Sequence, residues 1–251
     1  VEFAKAVDAG TYTKNADHKV TVDLDFTGYN AEDVVISKQV GDLALNFQGH
    51  TVSGLVLEDR GSVRGLFRYL SDTAFVQNLH VKGIVSPKGD RETVGGIAGS
   101  NSGRIENCSF EGAVSGGDRV GGIAGINALT GIIENCLVRG NIYGDHFVGG
   151  IAGENMGVIR NCTNEGSINT TPQQNSIEIS DITMDTLTNT EAANTVTDIG
   201  GITGLSTGVI RDCKNLGDVG YRHMGYNIGG IAGTQSGYIV GCENQGHIEG
   251  R

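Results

Sequence analysis

The sequence contains no tryptophan and only two prolines among 251 residues, while glycine supplies 41. Glycine this abundant without proline is not collagen, which needs a strict triplet period. Nor does it describe a flexible linker, because the glycines stand among regularly spaced valines and isoleucines. No stretch approaches the roughly 18 apolar residues needed to cross a bilayer, and no charged-then-apolar leader opens the chain. Basic residues are the scarcer charge: 18 Lys and Arg against 29 Asp and Glu leave a formal net charge of −11. An acidic surface repels phosphate backbones and anionic lipid, which argues against nucleic acid and against membrane insertion. The start at Val1-Glu2-Phe3 and a repeat cut off in mid-pattern fit a piece of a larger polypeptide. Ile248-Glu249-Gly250 still follows the repeat template, so only Arg251 stands outside it.

What is present is a repeat. Val94-Gly95-Gly96-Ile97-Ala98-Gly99 returns as Val120 to Gly125, Val148 to Gly153, Ile199 to Gly204 and Ile228 to Gly233, at spacings of 26, 28, 51 and 29 residues. Each copy is followed by a glycine, a β-branched pair and a cysteine, then by a third short run such as Gly112-Ala113-Val114. A degenerate earlier copy runs through Val63-Arg64-Gly65-Leu66-Phe67, with Leu79 standing where the others have cysteine. Short β-branched runs punctuated by Gly and Asn leave no room for a helical repeat. The pattern predicts an all-β, right-handed parallel β-helix of about six coils, three strands to a coil, with equivalent side chains stacked in columns. Ile97, Ile123, Ile151, Ile202 and Ile231 make one such column. A single coil cannot offset its own ordering entropy, so stacking and end caps are required.

Residues 1–61 read as an N-terminal cap continuous with the solenoid. Phe3 and Val7 share a helical face that Gly10 ends, and two alternating strands follow, Val20–Phe26 and Leu43–Phe47. Residues 62–251 form the solenoid, with an inserted loop at about 172–198 that accounts for the long spacing.

The Gly-Gly-Ile-Ala-Gly core at 95–99 and its four echoes resemble the GLUG-motif family, and the lead-in Phe47–Leu55 and Gly65-Leu66-Phe67 resemble what commonly precedes such repeats. The resemblance covers roughly residues 43–250. It implies a large bacterial surface or secreted polypeptide, either adhesin-like or the non-catalytic N-terminal region of an immunoglobulin A metalloprotease. It implies no defined ligand, and the metalloprotease His-Glu-x-x-His is absent.

The residues offer several candidate chemistries. Cys108, Cys136, Cys162, Cys213 and Cys242 share one template position and should form a core column. With no Cys-x-x-Cys pair and an odd count, buried thiols are favoured over bridges or a metal site. The Asn before each cysteine (Asn78, Asn107, Asn135, Asn161, then Asp212 and Gly241) suggests an amide stack at a corner. The six histidines show no ligand-like spacing and read as solvated loop residues. Val-Gly-Gly-Ile-Ala-Gly lacks the Gly-Lys-Ser/Thr of a phosphate loop. Outward Glu106, Glu134, Glu111 and Glu165 recur as a face would, not as the paired carboxylates of a glycosidase cleft. The insertion is acidic without Lys or Arg, making Glu178, Asp181, Asp185 and Glu191 candidate binding residues. The resulting expectation is a monomeric, non-catalytic, cofactor-free module at a cell surface or outside the cell, engaging a host protein or glycan. An accessory region of a surface protease is the alternative, and a polysaccharide-processing β-helix enzyme the third.

Overall fold

The computed structural model describes residues 1–171, 196–222 and 225–250. Parallel strands stack as a β-solenoid of about seven turns. One coil shows the plan: Thr93–Gly95, Ala98–Asn101, Arg104–Glu106 and Ser109–Ser115 each pair in parallel with their equivalents in the coils before and after. These four positions build four sheets of six, seven, eight and nine strands, called here the first to fourth in chain order.

Four strands per coil replace the three expected, because the run read as one strand bends at Gly96-Ile97. A Cβ on Gly95 would collide with the Ala98 carbonyl and the backbone of the next coil, and one on Gly96 with the Phe110 ring. Only glycine lets the chain fold this tightly over itself. Ile97 at the bend turns inward and is buried, as are Ile123, Ile151 and Ile202. In the third sheet Ile105, Ile133, Ile159 and Ile210 are buried in register, and Val114, Ile142, Ile168 and Val219 line the fourth.

The ladders also reach further toward the N-terminus than the repeat pattern shows. Ile36–Val40, Leu43–Asn46 and Thr51–Leu57, read above as part of a cap, form a coil paired with Phe67–Leu70, Ala74–Gln77 and His80–Val85. A partial turn, Ala16–Lys19 and Leu24–Asp25, precedes it. Leucines and phenylalanines fill this end where later coils carry the glycine motif, so periodicity alone does not reveal it.

The helix Glu2–Asp8 lies against Ile36–Val40 with Ala4 and Val7 buried. Gly10, at φ +70°, ends it: its N–H donates to Val7 O and that of Thr11 to Ala6 O, the two bonds of a Schellman cap. The Asp8 carboxylate then accepts from the backbone N–H groups of Ser37 and Lys38 at 3.0 and 2.8 Å, tying the helix to the sheet.

Candidate functional site

The five cysteines are all free; four are buried and Cys242 is half-buried. The Cys108, Cys136, Cys162 and Cys213 thiols sit 3.1 to 3.3 Å from the carbonyl oxygen two residues back, to which each S–H donates. Burial pushes the Cys136 thiol well above its ordinary value, and the flanking Cys108 and Cys162 sulfurs push it the same way. Cys213 is pushed up by its hydrogen bond with Cys162 and then by burial. Held neutral, the Cys136 and Cys213 thiols are neither nucleophiles nor metal ligands.

The Asn residues before the cysteines do a different job from the one expected of them. Asn78, Asn107, Asn135, Asn161 and Asp212 have φ between +52° and +57°, and Gly241 has +65°. They occupy a left-handed corner, which Asn, Asp and Gly tolerate best. The bond from Asn107 Nδ2 to Asn78 Oδ1 is long at 3.4 Å, so this corner is only weakly stacked.

The strong amide ladders are internal. In the second sheet Asn101 donates to Asn127 Oδ1 at 2.9 Å, Asn127 to Asn155 Oδ1 at 2.8 Å and Asn155 to Ser206 Oγ at 3.1 Å. In the fourth, Asn164 donates to Asn215 Oδ1 and Asn215 to Asn244 Oδ1, both at 2.7 Å. The second N–H of Asn164 and of Asn215 stays in its own coil, on Gly166 O and Gly217 O at 2.9 and 2.8 Å. The second motif glycine explains the fit: a Cβ on Gly150 or Gly201 would collide with Asn164 or Asn215. Sequence reading missed these ladders, although their recurrence at the repeat spacing was the signal.

On the outer faces, charges pair between coils. Glu134, with a side chain only 6% exposed, accepts from Arg104 Nε and Arg160 Nε at 2.6 Å each, clamping three coils together. Burial opposes its charge, but the two guanidinium hydrogen bonds outweigh that and hold the carboxyl below its usual range. Lys82–Glu111, Arg139–Glu165 and Lys214–Glu243 span neighbouring coils in the same way. His50 meets Asp23, His80 meets Ser109 and His146 meets Thr197, each in a separate place. Among the described residues no group of three or more His, Cys, Asp or Glu is placed to hold a metal ion. No helix among them is long and apolar enough to cross a membrane. The candidate residues Glu178, Asp181, Asp185 and Glu191 lie outside the described residues.

At the N-terminal end an apolar cavity of about 300 Å³ opens beneath the helix Glu2–Asp8. Other depressions, such as the groove along Asn46, Asn78 and Asn107, are polar surface features.

This architecture defines a parallel β-solenoid whose repeat is set by glycine packing and amide ladders. Residues 90–115 and 147–169 match the family model described as the GLUG motif, so the chain carries GLUG repeats in its solenoid. Halomucin of Haloquadratum walsbyi (strain DSM 16790 / HBSQ001) is 38% identical over 82 residues, covering 32% of this chain and 1% of halomucin. A crystal structure of a candidate immunoglobulin A1 protease from Bacteroides ovatus matches with a TM-score of 0.65 at 19% identity, over 95% of this chain and 71% of that one. At that identity the likeness concerns the fold.

Proposed function

We propose that this chain is a non-catalytic segment of a larger surface or secreted protein, displaying its faces to a host protein or glycan as adhesins do. The supporting observation is where the ionisable side chains go. Glu134, Arg104 and Arg160, the group best placed for acid–base chemistry, are committed to one another across three coils. A carboxylate held ionised between two guanidiniums is a poor general acid. The similarity to halomucin and to the candidate protease supports a surface or secreted setting and fits the accessory-region alternative equally well.

Saturable binding of the purified chain to a glycan array or to a panel of immobilised host extracellular proteins, immunoglobulin A included, is the expected result. No binding on either panel would sink the display reading. New reducing ends released from a polysaccharide panel would replace it with the enzyme.

A further inference from the structure

Leu129 is the most exposed large apolar side chain among the described residues, at 79%. Its turn has three residues, Ala128-Leu129-Thr130, between Asn127 and Gly131, where the neighbouring coils have only Ser102 or Met156. The turn is pinned: Gly131 N–H donates to Ala128 O at 2.8 Å and Thr130 Oγ1 to Ser102 O at 2.7 Å. Alone, one exposed leucine means little. This one leads directly into the third sheet, whose outer face is unusually apolar.

In that sheet Ile105, Ile133, Ile159 and Ile210 point inward, so the residues on either side of each point out. One outward row, a residue per coil, runs Phe75, Arg104, Ile132, Val158, Val209, Tyr238. Arg104 interrupts it least of all charges: its guanidinium lies 5.1 Å from the centre of the Phe75 ring and pairs with Glu106 and Glu134. The adjacent row runs Gln77, Glu106, Glu134, Arg160, Arg211, Val240, acidic in its first half and basic in its second. Arg160 and Arg211 are 44% and 64% exposed, so each keeps N–H groups beyond those it gives Glu134 or Asp212.

This order is its own complement. A two-fold axis along the strands, passing between the coils of Glu134 and Arg160, turns a second copy end for end and lays its face on the first. Each row then meets itself reversed. Arg211 faces Glu106 of the second copy, Arg160 faces Glu134, Ile132 faces Val158, and the long turn of Leu129 comes against the short one of Met156. The other face-to-face two-fold, along the solenoid axis, would set Arg160 and Arg211 against Val158 and Val209 and bury their charges on aliphatic groups.

We propose that two copies of this chain associate through their third sheets with solenoid axes antiparallel. Six strands about 4.8 Å apart, on a face about 15 to 20 Å across, cover roughly 1,000 Å² over both copies, the size of a weak reversible interface. The dissociation constant should be on the order of 10 to 100 µM. The association leaves the other sheets free and does not depend on what they display.

Sedimentation equilibrium of the 251-residue chain, from about 1 µM to about 1 mM, is the test. The expected result is a monomer–dimer equilibrium that weakens as salt is raised. Leu129→Asp should weaken it about tenfold or more with the melting curve unchanged. Arg211→Glu and Glu106→Arg should each weaken it about fivefold, since like charges then meet. Mixed one to one, those two variants should recover the original affinity, because every such contact again joins an arginine to a glutamate. A chain that stays monomeric at the highest concentration overturns the proposal. A dimer indifferent to both Leu129→Asp and Arg211→Glu also overturns it, by placing the contact on another face. A mixture no tighter than its components overturns the antiparallel arrangement. Should Glu106→Arg fail to fold, the two exposed-site variants and the salt dependence decide the matter.

Discussion

The early coils and the later ones fill the same cross-section by different means, the change falling at Asn101 in the second sheet and at Asn164 in the fourth. At one inward position of the second sheet the early coils carry Val40 and Leu70, and the later ones Asn101, Asn127, Asn155 and Ser206 in direct register. At one inward position of the fourth sheet Val52, Val81, Phe110 and Val138 give way to Asn164, Asn215 and Asn244. An apolar side chain asks its neighbour above only for volume, and many residues supply volume. A buried amide asks its neighbour for an acceptor at one place, and the same amide one coil on supplies it. The join shows the constraint: Asn101, the first amide of its column, stacks on Leu70, and its Oδ1 is buried with no hydrogen-bond partner among the described residues.

The largest effect follows from breaking a ladder in its middle. Asn215→Leu removes the acceptor of Asn164 and the donor to Asn244 while placing a branched side chain where Gly201 leaves room only for a flat amide. The expected loss is about 3 kcal/mol, combining an orphaned buried donor with overpacking. Urea unfolding measures it. A loss under about 1 kcal/mol would mean the ladders are ornament.

A pair of substitutions sharpens the contrast with a smaller effect. Val81 and Val138 are both buried in the same column of the fourth sheet, but Val81 stacks on Val52 and Phe110 whereas Val138 stacks on Asn164. An amide at 138 finds a neighbour able to pair with it; an amide at 81 finds none. Val81→Asn should therefore cost about 2 kcal/mol more than Val138→Asn. Equal losses would show that the neighbouring coil is irrelevant to polar burial here.

The same difference decides what the sequence reveals. Coils held by glycine contacts and amide ladders must repeat, so the copies from Val94 onward, the parallel stacking and the column of cysteines are all legible as periodicity. Coils held by leucine and phenylalanine volume are free to drift, and for that reason Ile36–Leu57 reads as a cap although it is a coil. The fourth strand of each coil is hidden for another reason: a bend at Gly-Gly-Ile interrupts the ladder without interrupting the apolar pattern. Asn illustrates the limit most clearly. Asn107 and Asn101 recur with equal regularity, yet one serves a left-handed φ and the other an internal hydrogen bond, and composition does not distinguish these demands. The N-terminal cavity left no periodic trace, since the phenylalanines lining it, Phe3, Phe26, Phe47 and Phe67, come from a helix and three different turns.

The smallest expected effect concerns the clamp that crosses from the apolar column to the amide column. Arg104, Glu134 and Arg160 belong to three successive coils, and the last of them carries the first amide, Asn164, of the fourth sheet. The two arginine side chains are 42% and 44% exposed, so solvent screens their share, while the nearly buried carboxylate depends on both. Glu134→Gln should cost about 1 kcal/mol at neutral pH. Because the folded carboxyl titrates below its ordinary value of 4.5, the stabilisation is fully present above that pH and is lost as pH falls through the folded value. The wild-type advantage over Glu134→Gln in melting temperature should thus be visible at pH 7 and shrink as pH falls below 4.5 toward and through the folded value. An advantage that persists undiminished in acid would mean that Glu134 joins the coils by packing its methylenes, and that charge plays no part in linking the two kinds of core.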